Sequence, residues 1–90
     1  MLNDEDRAYI EITLRDLDKD LIKGRTTTER RLGEVTKREY YCYVMGFTLC
    51  SILHTYYDSH NRDMTEGEQD EVVGILKGRI KEAISRVWGE

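Results

Sequence analysis

The sequence predicts an all-α fold, a bundle of three main helices in one domain spanning residues 1–90. Three observations carry that expectation. Residues 40–57, Tyr-Tyr-Cys-Tyr-Val-Met-Gly-Phe-Thr-Leu-Cys-Ser-Ile-Leu-His-Thr-Tyr-Tyr, contain no Asp, Glu, Lys or Arg in a chain that is 36% charged. The chain has no proline and only seven glycines, which favours long helices with short connections. Two flanking segments repeat apolar residues at helical spacing.

The first helix is expected over residues 4–23. Asn3 can cap it, and Asp4, Glu5 and Asp6 complement the positive end of the helix dipole. Ile10, Leu14, Leu17 and Leu21 step by four, three and four, a narrow seam of coiled-coil type. Glu11 and Arg15 are spaced for a supporting pair. Ala8, Ile12 and Ile22 lie roughly opposite the seam, so that strip is either exposed or covered by a partner. Gly24 reads as a helix stop. Residues 25–35 form the connector, in which Thr26 and Glu29 are spaced as a capping box, so a short fourth helix can lie here or the central helix can extend backwards.

The central helix is expected over about 37–58. Thr36 and Glu39 are spaced as a capping box at its start, and Asp58-Ser59-His60-Asn61 is a turn-forming stop. At 100° per residue, Tyr41, Cys42, Met45, Leu49, Ile52, Leu53 and Tyr56 form one broad stripe. A second arc carries Tyr43, Phe47, Cys50, His54 and Tyr57. Only Thr48, Ser51 and Thr55 form a mildly polar sector. A helix apolar nearly all round must be covered on more than one side. It is not read as a membrane span, although about 18–20 uncharged residues would suffice, because five tyrosines, a histidine and several hydroxyls make it too polar. The last helix is expected from Thr65, spaced with Glu68 as a capping box, to about Trp88. Val73, Leu76, Ile80, Ala83 and Val87, widened by Val72, Ile84 and Trp88, give the clearest amphipathic pattern in the chain. Gly74 and Gly78 on its flank read as surface glycines.

The three helices have unequal demands. The outer two offer one stripe each, while the central one has about two faces to hide. The arc of Tyr43, Phe47, Cys50, His54 and Tyr57 is therefore the expected interface. A homodimer of central helices, with small Cys42, Gly46 and Cys50 permitting close approach, is the simplest way to cover it. The expected function is that of a small non-enzymatic binding or regulatory accessory protein, a homodimer contacting a further protein. Small accessory proteins of bacteria and phages have this general character.

Charge supplies the alternative. Residues 23–39 hold six basic groups against three acidic, net +3, and residues 58–71 hold six acidic groups against one basic, net −5. Arg25, Arg30, Arg31, Lys37 and Arg38 could contact phosphates, making the chain a nucleic-acid-associated regulator. The formal net charge of −4 weighs against this. Cys50 and His54 share a face, but a Cys2His2 site would need two copies, so no metal or cofactor is expected. Cys42 and Cys50 are too far apart along one helix to pair, and free thiols suit a reducing cytosol. The acidic opening residues lack the apolar core of a signal peptide, so the expected location is cytoplasmic.

The stretch Leu14-Arg15-Asp16-Leu17-Asp18-Lys19-Asp20-Leu21-Ile22, with Arg30, Arg31 and Lys37 downstream, resembles the opening helix of the all-helical chorismate mutases. That resemblance implies a dimeric three-helix enzyme in which Arg15, Arg31 and Lys37 converge on two carboxylates. It covers about 25 residues and departs from the family at Gly24 and Thr26–Thr28, where the family keeps a continuous helix, and the family's downstream motif is not matched.

Overall fold

A computed structural model describes residues 2–90. It is all-α, with four helices: α1 (Asp4–Leu14), α2 (Leu17–Leu32), α3 (Lys37–His60) and α4 (Glu66–Val87). Three starts carry full capping boxes. Asn3 and Asp6, Thr36 and Glu39, and Thr65 and Glu68 each exchange reciprocal side-chain bonds with backbone N–H groups. Asn61, at φ 55°, takes the left-handed conformation that closes α3.

The first leg corrects the sequence reading. The expected helix over 4–23 breaks at Arg15 and Asp16. The Arg15 N–H bonds back to the Ile12 carbonyl, a tightened turn, and Asp16, at φ −103° and ψ 21°, leaves the helical region. The seam survives because its phase is kept across the break: Ile10, Leu14 and Leu21 are buried and Leu17 is partly so. Glu11 bonds to Arg79 and Asp18 to Arg86, at 3.0 and 2.7 Å, in place of the expected Glu11–Arg15 pair. Arg7 pairs with Glu71 in the same progression, so α1 and α2 run alongside α4 in its direction. Both acidic partners are seven residues apart, as are Arg79 and Arg86, so the bent leg tracks α4 over two turns.

Gly24 is not a stop. It lies inside α2 because a side chain there would collide with Tyr40: a Cβ would sit 2.6 Å from the Tyr40 hydroxyl. That hydroxyl donates to the Leu21 carbonyl at 2.7 Å, and the ring is buried. The fourth helix is thus longer than the expected connector helix, and Thr26 is not a cap; its hydroxyl donates back to the Ile22 carbonyl. Gly33, at φ 91°, ends α2 instead.

The core is centred on α4, where Val72, Leu76, Ile80 and Ala83 are fully enclosed. From α3 it receives Tyr40, Val44, Ile52 and Tyr56, with Thr48 among them. These are four apart, so the buried line drifts around α3 and differs from the expected stripe: Cys42 is exposed, and Tyr41, Met45, Leu49 and Leu53 are only partly buried. Of the mildly polar sector, Thr48 is buried and Thr55 partly so, its hydroxyl donating to Tyr9 of α1 at 3.0 Å, while Ser51 stays exposed. Gly74 and Gly78 have no neighbour that a Cβ would meet, consistent with surface glycines.

Two polar clusters lock the ends of the bundle. At one, buried Glu68 accepts from Tyr56 at 2.7 Å, Arg62 at 3.1 Å and the Thr65 backbone at 3.0 Å. The Arg62 bond, aided by those of Thr65 and Tyr56, holds its carboxyl well below the usual carboxylate range. His60 joins this end, stacked on Tyr56 and 2.9 Å from Asp6. At the other end Trp88 packs on Tyr40, and the Arg25 guanidinium lies 3.7 Å from the indole centre. No helix among the described residues is long and apolar enough to cross a membrane.

Candidate interaction surfaces

The outer face of α3 follows from its residue spacing. Tyr43, Phe47, Cys50, His54 and Tyr57 step by four, three, four and three, so they stay on one line parallel to the helix axis. Inner residues Tyr40, Val44, Thr48, Ile52 and Tyr56 step by four throughout. All five outer residues are exposed, Tyr43 at 55%, Phe47 at 68% and Tyr57 at 48%. Tyr43 and Phe47 stack on each other with ring centres 6.3 Å apart. Both border a groove of about 260 Å³ whose far wall is Leu17, Leu21 and Gly24 with the charged Asp20 at its edge, so the face continues onto α2.

The arc left over by the sequence reading is thus left over by the fold. Cys42 and Cys50 are exposed free thiols, and His54 is exposed with its ring 3.4 Å from Asp58. The cause is placement: Cys50 and His54 lie on the side of α3 opposite Ile52. Among the described residues, no group of three or more His, Cys, Asp or Glu side chains could hold a metal ion.

The basic residues singled out from the sequence are divided. Arg25 is engaged within the chain by Trp88, by Glu29 at 3.1 Å and by the Val87 carbonyl. Arg30 and Arg31 are exposed in the last turn of α2. Lys37 and Arg38 begin α3 and line a second groove with Tyr41, Ile84 and two residues the sequence reading missed, Lys77 and Lys81. Their signal was present, since Lys77, Lys81 and Ile84 share one face of α4 by spacing. It carries meaning only once the start of α3 lies beside them. Arg15, one of the three cations in the enzyme resemblance, is at the α1–α2 break and lines pockets with Arg79, away from this groove. No protein-family model, curated protein or solved structure matches the chain.

Proposed function

We propose that this chain is a non-enzymatic interaction protein that works as a homodimer, two copies meeting through the outer faces of α3. The observation that supports this is the straight four-three seam of Tyr43, Phe47, Cys50, His54 and Tyr57, exposed and free of Asp, Glu, Lys and Arg. A seam parallel to the axis is what a second long helix needs for knobs-into-holes packing. Its three rings expose on the order of 300 Å². The adjoining wall of α2 brings the face toward the roughly 800 Å² per partner of a standard interface.

The occupant is a second copy because a two-fold interface pairs this uncharged seam with an equally uncharged one. The orientation is antiparallel. Residues 23–39, leading into and opening α3, carry net +3, and residues 58–71, from its last turn onward, carry net −5. Antiparallel packing sets each against its opposite, whereas parallel packing sets like against like. The two-fold axis then passes near Cys50, the middle of the seam, and Tyr43 of one copy meets Tyr57 of the other. The dimer would present its remaining surfaces to a further protein in duplicate.

Sedimentation of the purified chain at tens of micromolar tests the assembly. A dimer that Tyr43→Ser/Phe47→Ser converts to monomer supports it, and a wild-type monomer ends it. Orientation is read with Tyr57→Cys in a Cys42→Ser/Cys50→Ser background. Parallel packing would cross-link Cys at that position to its equivalent under mild oxidation, whereas antiparallel packing would not.

A further inference from the structure

The groove between the start of α3 and the middle of α4 has a volume of about 350 Å³ and is lined by Lys37, Arg38, Tyr41, Lys77, Lys81 and Ile84. We propose that it binds a small organic phosphate, a diphosphate or triphosphate carried on a flat apolar body, the chemistry of a nucleoside diphosphate. The site is independent of the dimer face, since Tyr41 lies about 160° around α3 from Tyr43.

The first argument is that these cations sit where folding does not favour them. Lys37 and Arg38 occupy the first turn of α3, against the positive end of its dipole. The first turns of all four helices carry acidic residues as that dipole prefers, Glu39 in α3 among them, but of the four α3 alone opens on two adjacent cations. Lys77 and Lys81 are four apart on α4, a repulsive spacing. Among the described residues, neither of them nor Arg38 has an ion-pair partner, although the chain holds 18 acidic residues and pairs six of its other basic side chains with carboxylates. Lys37 pairs with Glu90 at 2.6 Å, and that carboxylate is exposed enough to be displaced. Local rules broken in one place without a structural return mark a functional site.

The second argument is shape. Ile84 is buried and Tyr41 half-buried, so the floor is apolar while the charges stand around it. A bare anion would leave that floor wet. A flat ring lying on Tyr41 and Ile84 excludes water there, while its phosphates reach the ammonium and guanidinium groups. The volume falls within the range of small-ligand sites, about 300–1,000 Å³. A duplex or long single strand would instead need cations continuing past the groove, and the chain is acidic overall.

The test is titration of the wild-type chain at low salt with ADP, with pyrophosphate as a phosphate-only probe and with an oligothymidylate as a strand probe, followed by calorimetry and amide chemical shifts. ADP is expected to bind more tightly than pyrophosphate and to shift amides around Lys37–Tyr41 and Lys77–Ile84. Lys77→Gln/Lys81→Gln, both exposed, should keep the helical circular dichroism and lose about tenfold or more in ADP affinity. Tyr41→Leu should erase the preference for ADP over pyrophosphate. Arg30→Gln/Arg31→Gln should change neither. Absence of ADP binding, or binding unaltered in Lys77→Gln/Lys81→Gln, overturns the proposal. So does an oligothymidylate affinity that exceeds that of ADP and depends on Arg30 and Arg31, which would favour a nucleic-acid surface.

Discussion

α3 and α4 are of similar length and stand side by side, yet they solve different problems. α4 sends Val72, Leu76, Ile80, Ala83 and Ile84 inward and keeps its charged residues outside, except for Glu68. Its apolar residues are used up within the fold. α3 sends one line inward and keeps a second line of aromatic and small residues outside, with no charge along 18 residues. The contrast separates two sources of hydrophobicity, one that holds a chain together and one that the fold does not need. An apolar residue on α4 answers to folding, whereas one on the outer line of α3 stays in water in the folded chain.

The largest effect should come from α4. Leu76→Ala removes a fully enclosed side chain and should cost about 2–5 kcal/mol of folding stability by chemical denaturation. Phe47→Ser, on the outer line of α3, should leave the stability of the dilute protein within about 0.5 kcal/mol. It should instead weaken self-association by roughly 1.5–3 kcal/mol, about 10- to 100-fold in the sedimentation Kd. A large loss of stability from Phe47→Ser, or a small one from Leu76→Ala, would break the contrast.

The glycines sharpen it at smaller scale. Gly24→Ala gains about 1 kcal/mol of helix propensity but forces Tyr40 aside at a cost of about 1–3 and strains its bond to the Leu21 carbonyl, so the net effect is a loss of up to about 2 kcal/mol. In a Tyr40→Phe background the obstructing hydroxyl is gone and the same change should stabilise. Gly78→Ala, in open space on α4, should raise stability by about 1 kcal/mol in thermal or denaturant melts. The last test reads a slope. Glu68 titrates lower in the fold than in the unfolded chain, so it binds fewer protons folded than unfolded at acid pH. Its contribution is complete above the unfolded carboxylate range, roughly pH 4–5, and declines as pH falls below it. Denaturation curves of Glu68→Gln should show lower stability at neutral pH and a shallower fall below that range.

Much of the helical frame was legible in residue order. Thr36 with Glu39 and Thr65 with Glu68 mark starts by local chemistry, and local chemistry is what a sequence displays. The exposed arc on α3 was legible for the same reason, since it follows from angular position alone. The break at Arg15 and Asp16 was not, because the seam from Ile10 to Leu21 stays in phase across it. Gly24 was misread because its need for hydrogen in place of a side chain comes from Tyr40, on another helix. The same holds for Lys77 and Lys81: their neighbours on α4 say nothing of Lys37 and Arg38 until α3 is folded against them.

Trp88 is the chain's single tryptophan, resting on Arg25 and packed against Tyr40 where α2, α3 and the end of α4 converge. Light absorbed selectively by indole is therefore emitted from one corner of the protein. Loosening that corner would move the guanidinium and alter the colour and yield of the emission. The depolarisation of the same signal, governed by how fast the particle tumbles, distinguishes one rotating copy from two without attaching a dye.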